Sequence, residues 1–259
     1  MDQVSQDFID LAGRLADASR PILRSYYRRK LDVDIKSDAS PVTQADREAE
    51  AAIRKLINAT FPEHGIFGEE FGKEREDAEY VWVLDPLDGT RAFVTGRPTF
   101  GTLIALTRRG SPLLGLIDMP VLDDRWIGAV GRPTTLNGEP VRVRPCGRLA
   151  EAYLSASIPL MFDTPEKQRK FDAVAAKARS TTFGGDCYQY GMVASGFLDI
   201  VIECSLVEYD YLALTPVIEG AGGKITDWRG NGLKMGSGDR VIATGDARLH
   251  DEALAVLAG

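Results

Sequence analysis

The chain has little of several things that usually announce a function. Of its 259 residues only three are cysteine, Cys146, Cys187 and Cys204, an odd number with no Cys-x-x-Cys spacing. That argues against a disulfide framework or a zinc site and predicts buried thiols. Histidine is scarcer still: His64 and His250 lie outside the motifs singled out below and are read as core or surface residues. No run of lysine and arginine is long enough to outweigh a formal net charge of -7, so the electrostatic footprint of a nucleic-acid-binding protein is missing. No apolar run approaches membrane-spanning length, so no membrane partner is expected. The N-terminal segment is charged and helically periodic, unlike a signal peptide, which makes the cytoplasm the expected compartment. Repeats and low-complexity segments are absent as well.

What is present is enough apolar sequence, 44% against 27% charged, for a large core built as one big domain or two packed halves. Phe8, Leu11, Leu15, Ala18, Ile22 and Leu23 recur at helical spacing, and the helix should end near Arg28, Arg29 and Lys30. A brief strand at Val33 and Ile35 follows, then a break at Ser40-Pro41. A second helix carries Ala49, Ile53, Leu56 and Ile57 on one face, with Asp46 near its start. A short strand over 64–68 ends at Glu69-Glu70, and 73–79 reads as a solvated loop. From Val81 the pattern changes to strands, with runs over 80–85, 98–110, 112–130 and 140–145 suited to one sheet. After Leu149 strands alternate with helices over 164–177, 188–195 and 211–221 and at the C-terminus. The expectation is α+β, layers of helices and sheets, in an N-terminal region (residues 1–148) and a C-terminal region (residues 149–259) that together form one catalytic unit.

One stretch resists a purely structural reading. VWVLDPLDGT, from Val81 to Thr90, ends a buried-looking strand on Asp85 and Asp88. Carboxylates there destabilise a core unless paired or metal-bound, and their hard oxygens suit Mg²⁺, which takes few protein ligands and keeps positions for water and phosphate. The N–H groups of Gly89 and Thr90, opening a turn or helix, suit a phosphate in the same place. By itself the motif is equally served by a turn and an N-cap.

The wider constellation is more specific. Ser40-Pro41-Val42-Thr43-Gln44-Ala45-Asp46, Gly68-Glu69-Glu70, Asp85-Pro86-Leu87-Asp88-Gly89-Thr90 and Tyr209-Asp210, followed by Glu219-Gly220-Ala221-Gly222-Gly223, occur in this order. In these motifs the sequence resembles the inositol monophosphatase family of metal-dependent phosphatases. The resemblance implies a layered α-β-α-β-α sandwich of the inositol monophosphatase and fructose-1,6-bisphosphatase type, usually a homodimer. It also implies Mg²⁺ at two or three positions and inhibition by lithium. Glu69, Asp85 and the carbonyl of Leu87 would bind one metal and Asp85, Asp88 and Asp210 a second, with Asp85 bridging; Glu70 falls outside the pattern. Asp46 hydrogen-bonded to Thr90 resembles the family's water-activating pair, and Asp88, Gly89 and Thr90 would face the phosphate. The implied chemistry is direct attack of water on a small phosphate monoester.

Within the family, Arg91-Ala92-Phe93-Val94-Thr95-Gly96-Arg97-Pro98, Gly184-Gly185-Asp186-Cys187-Tyr188 and Tyr209-Asp210-Tyr211 resemble the histidinol-phosphatase branch. Arg91 stands where inositol-specific relatives more often carry asparagine, although Arg91 and Arg97 also suit surface salt bridges. Substrate contacts would come from Arg91, Gly184, Gly185, Asp186, Glu203 and Asp210. Asp186 alternatively caps the helix starting at Cys187. Inositol phosphates and sugar or nucleotide phosphates remain alternative substrates, and a metal-binding regulator is the alternative outside enzymes.

Overall fold

The computed structural model describes residues 3–29 and 41–259. The strand expected at Val33 and Ile35 and the break at Ser40 lie outside them. Helix α1 (Gln6–Tyr26) starts at Ser5, whose hydroxyl accepts from the N–H of Asp7, and α2 (Pro41–Thr60) opens on proline, suited to a first turn whose N–H groups lack partners. Asp46 therefore sits inside α2, more than a turn from its start, a correction to the expected placement.

Eight strands form the first sheet: β1 (Gly65–Gly68), β2 (Gly72–Glu74), β3 (Tyr80–Asp88), β4 (Gly101–Arg108), β5 (Ser111–Met119), β6 (Asp124–Ala129), β7 (Arg132–Leu136) and β8 (Glu139–Pro140), in the order β2-β1-β3-β4-β5-β6-β7-β8. Only β1 and β3 run parallel. Helix α3 (Thr90–Val94) interrupts the run between β3 and β4. The stretch expected as a loop over 73–79 starts inside β2, and of the strand expected over 140–145 only Pro140 lies in a strand, as the second residue of β8.

The second sheet has the order β10-β9-β11-β13-β12, from β9 (Tyr153–Ala156), β10 (Ser180–Phe183), β11 (Ile200–Glu203), β12 (Lys224–Thr226) and β13 (Val241–Thr244). Its helices are α4 (Pro165–Ala175), α5 (Tyr188–Ala194), α6 (Glu208–Tyr211), α7 (Leu214–Gly220) and α8 (Ala247–Ala258). The single helix expected over 211–221 is two, because Pro216 has no N–H for the carbonyl of Leu212.

Three apolar clusters set the layers. Alternate residues of β3 face opposite ways, as strand geometry requires: Trp82 and Leu84 pack with α1 and α2, whereas Val81 and Val83 meet Tyr190, Val193, Val217 and Ile218 of α5 and α7. The outer face of the second sheet, with Leu154, Ile200 and Ile242, packs on Phe171 and Val174 of α4 and Leu249 and Leu257 of α8. The order is helix, sheet, helix, sheet, helix, the expected sandwich. Gly115 of β5 and Gly128 of β6 let the middle layer approach closely, since a methyl group on either would run into the carbonyl of Ala213 or Pro216. All three cysteines are buried, as expected. No described helix is long and apolar enough to cross a membrane.

Candidate active site

Two aspartates three apart in a regular strand point to opposite faces. In β3 they do not, because the register against β4 shifts between them: Asp85 pairs with Leu103 and Asp88 with Gly101, three steps on one strand against two on the other. This bulge centres on Pro86, which has no N–H to give the ladder and whose carbonyl accepts from Thr102 Oγ1 at 2.8 Å. Leu87 turns into an apolar cluster with Leu23, Ala49 and Phe100, and its N–H donates to Asp85 Oδ1 at 3.0 Å. Gly89 then takes φ 82°, a left-handed turn into α3 that a side chain would obstruct, its Cβ meeting Asp186 at 3.1 Å. The strand stays buried on its apolar face while both carboxylates reach the other.

There they meet Asp210 of α6, and one oxygen each of Asp85, Asp88 and Asp210 lie within 4.8 Å of one another. Asp210 Oδ2 accepts from Val207 N at 2.7 Å and Asp88 Oδ2 from Cys187 N at 2.7 Å. Glu69, next after β1, adjoins Asp85, its own N–H donating to the carbonyl of Leu84 in β3 at 3.2 Å. Asp46 reaches in from α2, 4% exposed, with no hydrogen-bond partner for Oδ1 among the described residues.

Crowded, half-dry carboxylates resist ionisation. Burial, then the charges of Glu69, Glu70 and Glu50, pushes Asp46 up to about 8. Burial and then Asp210 push Asp88 up to about 7. Asp210 is raised to about 7 by burial first, against the Val207 N–H bond, with Glu69 adding to the rise. Asp85 lies well above the usual carboxylate range, from burial and then Asp88, Glu69 and Asp210. No salt bridge among the described residues reaches these five carboxyl groups. An all-oxygen, anionic donor set with an orphaned buried oxygen beside it fits a hard divalent cation.

Asp88 and Asp210 open on a cleft of about 580 Å³ lined also by Thr90, Arg91, Asp186 and Glu203 among others. Gly184 at φ 97° and Asp186 at φ 44° fold the loop before α5 so that Asp186 faces the cleft. Asp186 is raised to about 7 by burial, then by Asp88 and Glu203, with Arg91 and Arg97 pulling the other way. It does not cap α5: Cys187 is the N-cap and no side chain caps that helix. Gly185 presses on Gln189 of α5, where a Cβ would come within 2.8 Å. Arg91 and Arg97 are both exposed. The expected Asp46–Thr90 hydrogen bond is not formed, since Thr90 Oγ1 donates to the carbonyl of Leu87 at 3.3 Å. A larger cavity, about 870 Å³ beside Trp228 and Arg240, lies away from this chemistry, and two of its charges, Glu166 and Arg240, pair with each other.

Glu50 belongs to none of the sequence motifs. Fully buried in α2, it pairs with Arg54 at 2.7 Å and accepts the N–H groups of Glu70 and Phe71, fastening the turn that carries Glu69. The signal was Asp46, Glu50 and Arg54 at four-residue spacing, one face of one helix. Ser157, Gln189 and Tyr190, which hold Glu203, had no such periodic signature.

Comparison with known proteins agrees with this geometry. The model of the inositol monophosphatase family matches residues 5–258. A chloroplastic bifunctional phosphatase of Arabidopsis thaliana is 48% identical over 95% of this chain and 74% of its own. A histidinol-phosphatase of Mycobacterium tuberculosis is 34% identical over 97% and 98%. Among solved structures, an inositol monophosphatase from Zymomonas mobilis superposes with a TM-score of 0.93 at 46% identity, covering 98% of each chain.

Proposed function

The chain belongs to the inositol monophosphatase family, phosphatases of small phosphate monoesters, and from that premise we propose that its substrate is L-histidinol phosphate, hydrolysed with water to L-histidinol and phosphate in a Mg²⁺-dependent reaction. The observation that carries the substrate is the second acidic pair. Asp186 and Glu203 share the cleft with the metal-type cluster, and no salt bridge among the described residues engages either. A polyol offers such carboxylates only hydroxyl donors, whereas histidinol phosphate brings an ammonium and an imidazole, and charge-assisted hydrogen bonds are roughly twice as strong as neutral ones.

In this reading Glu69, Asp85 and the Leu87 carbonyl hold one metal, and Asp85, Asp88 and Asp210 another. Bound there, Mg²⁺ supplies an activated water, neutralises phosphate oxygens and stabilises the leaving alkoxide. Asp46, with its partnerless Oδ1, and Thr90, at the mouth, orient the attacking water. The turn at Gly89 and Thr90 faces the phosphate, and Arg91 and the Gly184–Gly185 loop border the leaving group. Residues 1–148 and 149–259 work as one catalytic unit in the cytoplasm, paired with a second copy, and exposed Phe183 and Phe197 suit such pairing.

Phosphate release from histidinol phosphate and from inositol 1-phosphate, each with and without Mg²⁺, tests the proposal. A higher kcat/KM for histidinol phosphate, abolished by chelation, is expected. A preference for inositol 1-phosphate overturns the substrate. The name of the Arabidopsis relative, a bifunctional phosphatase, favours a second reading, in which more than one phosphate monoester is turned over at comparable rates.

A further inference from the structure

Six carboxylates are buried among the described residues: Asp46, Glu50, Asp85, Asp118, Asp199 and Glu203. Ionised groups out of water need a partner of opposite charge or a metal. Three of the six have an arginine. Arg54 pairs with Glu50 at 2.7 Å, Arg125 with Asp118 at 2.6 Å and Arg144 with Asp199 at 2.6 Å. Asp46 and Asp85 belong to the metal-type cluster. Glu203 has neither.

The comparison with Asp199 is internal to one segment. Asp199 lies just before β11 and is neutralised by both nitrogens of a guanidinium fork; Glu203 ends the same strand and is met only by neutral donors. Glu203 Oε1 accepts from Ser157 N at 2.7 Å and Gln189 Nε2 at 2.8 Å, and Oε2 accepts from the Tyr190 hydroxyl at 2.8 Å. A carboxylate offers about four acceptor directions, so three are filled and one on Oε2 is left. Gln189 holds its post at a disadvantage to itself, since its Oε1 is buried without a partner. Turned over, that oxygen would face the like charge of Glu203. Gly191 settles the next turn of α5 against Trp126, where a Cβ would lie 2.8 Å from the ring, so Gln189 and Tyr190 are presented from a braced helix.

We infer that Gln189 and Tyr190 are positioning residues for Glu203, holding it as an oriented but uncompensated anion that selects a leaving group carrying a cation. The inference rests on the histidinol-phosphate reading and adds the residues that set its selectivity. Neutral donors fix a carboxylate's direction without consuming its charge, whereas an arginine in their place would supply internally what the substrate is meant to bring.

The test is steady-state kinetics of Tyr190→Phe and Gln189→Met, which remove one donor each at nearly constant volume, on histidinol phosphate and inositol 1-phosphate at saturating Mg²⁺. The expected result is a rise in KM for histidinol phosphate of about fivefold per variant, the scale of one hydrogen bond, with kcat within about twofold and a rise of no more than about twofold for the inositol ester, whose hydroxyls make the weaker neutral bonds. Adding Tyr190→Phe to Glu203→Gln should change nothing further, because the two act through one group. Equal losses on both esters, or unfolding of both variants, assign Gln189 and Tyr190 to the scaffold and overturn the inference. Variants that keep the full wild-type preference overturn it as well while leaving the substrate standing. A wild-type enzyme without that preference removes the substrate reading and this inference together.

Discussion

Asp85 is the residue on which the site turns, because it is the most buried of the cluster and the one adjoined by Glu69, Asp88 and Asp210 at once. Asp85→Asn should therefore depress phosphate release more than Glu69→Gln, Asp88→Asn or Asp210→Asn; near-normal turnover at saturating Mg²⁺ contradicts a bridging role. Protonation gives a second expectation. In the fold Asp46 keeps its proton to about pH 8, and Asp88 and Asp210 to about 7, whereas 3.8 is ordinary for all three. Between those limits the folded chain binds more protons than the unfolded one, so without metal its stability is greatest on the acid side and declines as pH rises through that window. With a chelator present, the melting temperature should fall from about pH 5 to about pH 8, and Asp46→Asn or saturating Mg²⁺ should flatten the slope. A melting temperature that climbs over that range in chelator refutes this crowding of charges.

Elements were legible in the sequence wherever periodicity and burial agree. The alternation of Val81, Trp82, Val83 and Leu84 marks a strand buried on both faces, and the helical spacing of Leu11, Leu15 and Ile22 marks α1. The motifs at Glu69 and at Asp85–Asp88 could be placed because each closes such an element. The bulge could not, since Asp-Pro only hints at a broken ladder and the partner strand decides the shift. The misread strand at 140–145 has a physical cause too. Val141 and Val143 do alternate, but the Val143 N–H donates to the carbonyl of Ala221 at the end of α7, so their pattern reports packing on the middle layer. The missing Asp46–Thr90 bond was a contact between elements, which no local pattern encodes. At this scale Gly68 is an exacting position beside the site, for a methyl group there would collide with the Glu50 carboxylate. Gly68→Ala should displace the turn bearing Glu69, lower stability by about 1–3 kcal/mol and raise the Mg²⁺ concentration needed for half-maximal rate several-fold. A melt and a Mg²⁺ titration of the rate check both; unchanged values would mean that Glu50 is not what anchors the turn.

For the whole molecule, the layers matter because no one of them owns the site. Asp46 comes from the outer helices, Asp85 and Asp88 from the first sheet, Asp210 from the middle layer and Glu203 from the second sheet. The order of events during folding follows from that. A chain with only the first sheet assembled would bring Glu69, Asp85, the Leu87 carbonyl and Asp88 together but would lack Asp210, so the proposed pair of metal positions is complete only once the middle helices close on that sheet. Mg²⁺ should act as a late lock rather than a template. In rapid-mixing experiments it should slow unfolding by the full factor by which it stabilises the protein and change refolding less than about twofold, because the transition state would lack the assembled cluster. Faster refolding with Mg²⁺ would place the closure of the two sheets before the barrier instead of after it.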